Sequence, residues 1–189
     1  EKAGILVGVY FFSTAVSEEE AIEEANWTKA AIKGYSISYP VVYDCEGYKN
    51  SGSRMYELTK EDRTNFALAY LKTIKDAGYD AMFYASKSDL INCWDTSKIE
   101  ASAKIWVAHY DAVTYPQVET PQYSGAYEMW QYTNKGIVSG ISGSVDLVVS
   151  YSQYTKKEPK SNAVVNEVKA PEPEDKTYTS VDENVTAKD

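Results

Sequence analysis

Hydrophobic and polar positions along the chain switch between two periods. Six runs, residues 5–12, 40–46, 81–85, 104–110, 127–133 and 144–149, are rich in Val, Ile, Tyr and Phe and read as strands. Helical text separates the first three. Ser17 followed by Glu20 forms a capping box, opening a run through Ala21, Ala25, Ala30 and Ala31 to Gly34. Thr59 with Asp62 opens a second, through Phe66, Tyr70, Leu71, Ile74 and Ala77 to Gly78. Later connections have room only for a turn or a brief helix. Strands alternating with helices predict an α/β fold on a parallel sheet, either doubly wound or closed into a barrel. No Gly-rich phosphate loop follows any strand, which argues against a nucleotide-binding sheet.

The ends read differently from the middle. E-K-A-G at the start has the form of a last helical turn with Gly4 past its end, so the domain is expected to begin upstream of Glu1. From Lys156 onward Pro, Glu and Lys dominate without a period, and residues 156–189 are expected to be an acidic linker or disordered tail.

Composition narrows the partner. The 189 residues are 43% hydrophobic and 13% aromatic, enough for a core, and carry a formal charge of −9. That charge argues against a nucleic-acid partner, because such binding rests on neutralising phosphates with Lys and Arg. Seventeen Tyr and four Trp offer aromatic faces with polar tips, suited to carbohydrate, peptide or interface contacts. No apolar run is long enough for a membrane span, and no signal peptide is visible. Cys45, Cys93 and a single His make no metal pattern, so no cofactor is expected. Cys45 alternates with Asp44 and Glu46, which predicts a buried free thiol behind the sheet.

The chemistry-bearing residues sit where strands end. P-V-V-Y-D-C-E places Asp44 and Glu46 at the end of a hydrophobic run, where acids are costly unless used. Residues two apart on a strand share a face, about 6.5 to 7 Å apart at their Cα atoms, so both carboxyls can enter one pocket. Ser86, Tyr110 with Asp111, and Gln131 with Tyr132 end other strands, while Asp146 begins the last. A barrel assembles its active site at the C-terminal ends of its strands, so this placement favours a barrel. Two carboxyls in one cleft suit glycosidic cleavage: one, kept neutral, protonates the leaving oxygen, and the other stabilises positive charge or orients a nucleophile. His109 alternates away from Tyr110 and is expected at the surface or against a helix.

Five blocks together resemble glycoside hydrolase family 25, the N-acetylmuramidases: G-V-Y-F-F-S, P-V-V-Y-D-C-E, A-G-Y-D-A-M-F-Y-A-S, K-I-W-V-A-H-Y, and M-W-Q-Y-T-N-K-G-I-V-S-G-I-S-G-S-V-D-L. The likeness covers roughly residues 3–150 and implies a modified TIM-like β/α barrel. In that pattern residues 1–155 correspond to strands three to eight, and two earlier strands, the first carrying an Asp, are expected in a longer protein. The implied activity is hydrolysis of the β-1,4 bond between N-acetylmuramic acid and N-acetylglucosamine in peptidoglycan. The implied setting is extracellular or at the cell wall, by an enzyme that is monomeric when complete. Carried over by position, Glu46 resembles the general acid. Asp44 resembles the residue that positions the substrate's acetamido group or serves as nucleophile, and Asp146 the carboxylate of the last strand. Tyr10, Tyr84, Tyr110, Trp130 and Gln131 fall where the family lines its sugar groove. Two other readings stand beside this one. A chitinase-like glycosidase also ends a strand in D-x-E, but Ser38, Pro40 and Val42 stand upstream in place of acids. A non-catalytic glycan-binding remnant is the other.

Overall fold

The computed structural model describes residues 2–160. The expected tail, residues 156–189, lies outside the described residues from position 161 onward. In chain order the elements are β1 (Val7–Phe12), α1 (Glu18–Ala31), β2 (Ile37–Asp44), α2 (Lys60–Asp76), β3 (Ala81–Ser86), α3 (Lys87–Asn92), α4 (Thr96–Glu100), β4 (Lys104–Ala108), β5 (Met129–Gly136) and β6 (Val145–Ser150). The strands form one six-stranded sheet in sequential order. The sheet curls into half a barrel, a modified β/α-barrel architecture.

Local signals start and stop the helices where the pattern places them. Ser17 Oγ accepts from the Glu20 amide at 3.2 Å, and Glu20 Oε2 accepts from the Val16 amide at 3.0 Å. Thr59 and Asp62 close a full capping box on α2, with both reciprocal bonds made. Gly34 and Gly78, at φ of +82° and +77°, follow these helices in the left-handed conformation that ends them.

Neighbouring strands from β1 to β5 are parallel, whereas β5 and β6 are antiparallel. The all-parallel expectation therefore fails at the last strand. Residues 137–144 join β5 to β6 as a hairpin, with Gly140 and Gly143 at positive φ. At the start of that hairpin a Cβ on Gly136 would lie 2.4 Å from Leu147 Cγ and 2.8 Å from the Val145 carbonyl oxygen, so the close approach requires glycine.

The two faces of the sheet have different coverings. On the outer face Val41, Tyr43, Phe83, Ile105, Val107 and Trp130 pack under α1 and α2, which contribute Ala21, Ala25, Ala67, Tyr70, Leu71 and Ile74. Small side chains on α1 let it lie close to α2, and Thr28 Oγ1 and Tyr70 OH hydrogen bond between them at 3.0 Å. The inner, concave face is built on Val42, Met82 and Met129, flanked by Tyr39, Tyr84, Trp106 and Tyr154. Residues 151–160 cross the N-terminal end of this face. Tyr154 stacks on Tyr39 with centroids 4.7 Å apart, and Lys157 Nζ pairs with Asp80 at 2.5 Å.

Candidate functional site

Strand register determines which side chains share the concave face. Along β2 and the two residues after it the side chains alternate, so Tyr43 and Cys45 enter the outer core while Val42, Asp44 and Glu46 lie on the opposite side. Phe12 pairs with Asp44, Asp44 with Tyr84, Tyr84 with Trp106 and Trp106 with Met129, which makes one continuous row across the sheet. One step nearer the strands' C-terminal ends, Ser86 pairs with Ala108 and Ala108 with Gln131.

Asp44 ends β2 at 8% exposure, and its Oδ1 is buried with no hydrogen-bond partner. Burial, and then the neighbouring Glu46 charge, push its carboxyl from the usual 3.8 up to about 7. Glu46 stands just past the strand. Its surface is open to solvent, yet the protein packed around the carboxyl still raises its pKa, first by desolvation and then through the charges of Asp89 and Asp146. Asp146 reaches this neighbourhood because β6 runs antiparallel, so the beginning of β6 lies beside the ends of the parallel strands. Three carboxyl groups from β2, the segment after it and β6 thus face one mouth.

A tyrosine pair forms the adjoining wall. Tyr84 OH and Tyr110 OH both donate to Gln131 Oε1, at 2.6 and 2.9 Å. Gln131 is 4% exposed. Desolvation is the largest cause raising both phenols, with Glu46 among the neighbouring charges, so they are donors and not anions. Tyr10 lies on the inner face of β1, 65% exposed and free to present its ring.

Trp130 is the correction among the expected groove residues. It is 0% exposed and packs in the outer core, where its Nε1 donates to the His109 carbonyl oxygen at 2.8 Å. Neighbours on a strand point to opposite faces, so once Gln131 faces inward Trp130 cannot. The inward tryptophan is Trp106, which meets Tyr84 edge-on at 5.0 Å and whose Nε1 is buried without a partner. Its spacing of two and four from Ala108 and Tyr110 was the available signal. His109 lies at the rim with Nε2 3.5 Å from Asp111 Oδ2, and burial followed by the Lys87 charge lowers its pKa. Cys45 and Cys93 are free thiols; Cys45 is buried, and burial pushes its pKa up to about 12. Among the described residues there is no group of three or more His, Cys, Asp or Glu side chains suited to a metal ion, and no helix long and apolar enough to cross a membrane.

A curled sheet with acids gathered at the C-terminal mouth of its parallel strands is the layout of β/α-barrel enzymes. The chain belongs to the glycosyl hydrolases family 25, whose model matches residues 1–141. It is 29% identical over 153 residues to Lysozyme M1 of Streptomyces globisporus, covering 76% of this chain and 49% of that protein. It is 27% identical over 152 residues to a D-alanyl-L-alanine endopeptidase of Streptococcus phage B30, covering 77% of this chain and 32% of that protein. The fold superposes on the bacterial lysozyme from Streptomyces coelicolor with a TM-score of 0.64 at 24% identity, covering 80% of this chain and 70% of that one. The chain thus spans between a third and a half of the length of these two curated relatives.

Proposed function

We propose that this chain carries the catalytic face of a peptidoglycan hydrolase that cleaves the β-1,4 bond between N-acetylmuramic acid and N-acetylglucosamine at the cell wall. The observation that carries the reading is the meeting of Asp44, Glu46 and Asp146 at the mouth of a tyrosine-lined concave face. Glu46 is the proton donor. It is open to the cleft, and burial and then the Asp89 and Asp146 charges raise its pKa, which favours the protonated form that a proton donor needs.

Asp44 is better suited to hold the substrate's acetamido group than to attack carbon. Its pKa of about 7 and its buried, unpartnered Oδ1 describe a group that waits for a hydrogen-bond partner. With Asp44 on the acetamido nitrogen, the acetamido oxygen attacks C1 as Glu46 gives its proton to the departing oxygen and the C1–O bond breaks. Water then attacks C1 as the bond between C1 and the acetamido oxygen breaks and the acetamide is restored, and Glu46 takes a proton from that water, so two inversions retain the configuration. Tyr10, Tyr84, Tyr110 and Trp106 form the sugar-facing wall, with Gln131 holding Tyr84 and Tyr110 in place. Asp146 contributes charge beside Glu46.

The test is product analysis. Purified peptidoglycan is digested with the full protein, the new ends are reduced with borohydride, and the products are identified by mass spectrometry. New muramitol ends are expected. New glucosaminitol ends, or new free amines from the stem peptides without new sugar ends, would overturn the assignment.

A further inference from the structure

Glu46 sits on a segment that leaves β2 without regular structure, and such a segment needs an anchor if its carboxyl is to hold a position. The anchor lies on α3. Asp89 Oδ1 receives the Lys49 ammonium in an ion pair and the Cys93 thiol at 3.7 Å, while the Asp89 amide donates to Ser86 Oγ at 3.1 Å. Asp89 is thereby fixed to the end of β3. Tyr48, between Glu46 and Lys49, is 3% exposed, with its ring edge-on to Trp94 at 5.6 Å and Arg63 above it at 4.4 Å. Its hydroxyl is buried without a closed hydrogen bond, and burial and then the Asp89 charge raise the phenol.

We propose that Asp89, clamped by Lys49, is a positioning residue for Glu46: it ties the segment carrying the proton donor to α3 and sets the electric field at the Glu46 carboxyl. This rests on the reading of Glu46 as the donor. The groups that face Glu46 are Asp44 at the end of β2, Tyr84 on β3, Asp89 on α3, Tyr110 in the β4–β5 connection and Asp146 on β6. Among the carboxylates Asp89 has a cation bound to it, and that cation comes from the same segment as Glu46. The pair is therefore adjustable: the carboxylate favours the protonated acid, and the ammonium, 61% exposed at its side chain, moderates that effect.

The experiment follows the Glu46 side-chain carboxyl carbon by NMR through a pH titration in the 189-residue protein and three variants. Asp89→Asn removes a negative charge and is expected to lower the Glu46 midpoint. Lys49→Met leaves Asp89 uncompensated and is expected to raise it. The double variant lacks both charges, and its midpoint is expected to fall between those of the two single variants. A purely structural loosening would move both single variants in one direction, toward the ordinary glutamate value. Equal-direction shifts, or no shift in either single variant, would overturn the proposal. Because the titration needs no turnover, failure to release muramitol ends from peptidoglycan overturns the proposed function without deciding this outcome. In an active enzyme the alkaline limb of the pH profile is expected to follow the same two directions.

Discussion

Tyr84 donates its phenolic hydrogen to Gln131 Oε1 at 2.6 Å, across the width of β4. The same oxygen takes the Tyr110 hydroxyl at 2.9 Å, so one buried amide holds two rings of the concave wall. Replacing Gln131 with Leu keeps a comparable volume and removes both acceptor bonds. A loss of about 0.5 to 1.5 kcal/mol per bond is expected, because both bonds are part-buried and Tyr110, 44% exposed, can turn its freed hydroxyl to water. Urea denaturation measures it, and an unchanged midpoint would show that the amide is dispensable.

Glu46→Gln removes a transferable proton with almost no change in volume. Rates of cell-wall clearance are expected to fall by about 10² to 10⁴, the usual contribution of general acid catalysis. The circular dichroism spectrum should stay that of the parent. Clearance near the parent rate would remove Glu46 from its role.

Asp44 gives the protein a pH dependence of known sign. Its pKa is about 7 in the fold against an ordinary 3.8, so between these values the folded state holds a proton that the unfolded chain has released. Stability from this group is fully present below the lower value and is lost as pH rises through the upper one. Denaturation midpoints of Asp44→Asn, in which that proton cannot leave, are expected to be flatter over this window. A parent and variant with parallel pH curves would contradict the burial argument.

The two tryptophans should separate by assay. Trp106→Ala is expected to weaken binding of peptidoglycan fragments, since aromatic faces contribute contact area to ligands. Trp130→Ala empties a site in the outer core and is expected to cost about 3 to 5 kcal/mol of stability. Calorimetric binding and thermal unfolding of both variants decide between the rings. Loss of binding with retained stability in the Trp130 variant would reverse the assignment.

Gly136→Val tests the hairpin that carries Asp146 into place. Branched carbons at this position would overlap Leu147, where even a Cβ would lie 2.4 Å from Cγ. Overpacking of this kind typically costs about 1 to 3 kcal/mol, and activity should fall although no titratable group has changed. Full activity would mean that the β5–β6 register is not needed for Asp146 to act.

Much of this protein is legible along the chain because the signals are local. The Ser17 cap, the capping box at Thr59, the glycines at 34 and 78, and the two-residue alternation through Asp44 and Glu46 act over a few residues and emerge in the fold where the sequence places them, although Glu20 reaches the Val16 amide and so leaves the box expected at Ser17 half closed. Five blocks of text were also enough to suggest the family. Local pattern cannot say which way a strand runs in the sheet or which of its faces turns inward. Asp146 begins its strand, and it reaches Glu46 because the hairpin reverses β6. Alternation puts Trp130 and Gln131 on opposite faces, but only packing decided that Trp130 belongs to the helices and that Trp106 belongs to the cleft. Lys49 and Asp89 lie 40 residues apart and carry no motif that joins them. Their pairing exists because β2 and β3 are neighbours, which brings the segment after one strand against the helix after the other.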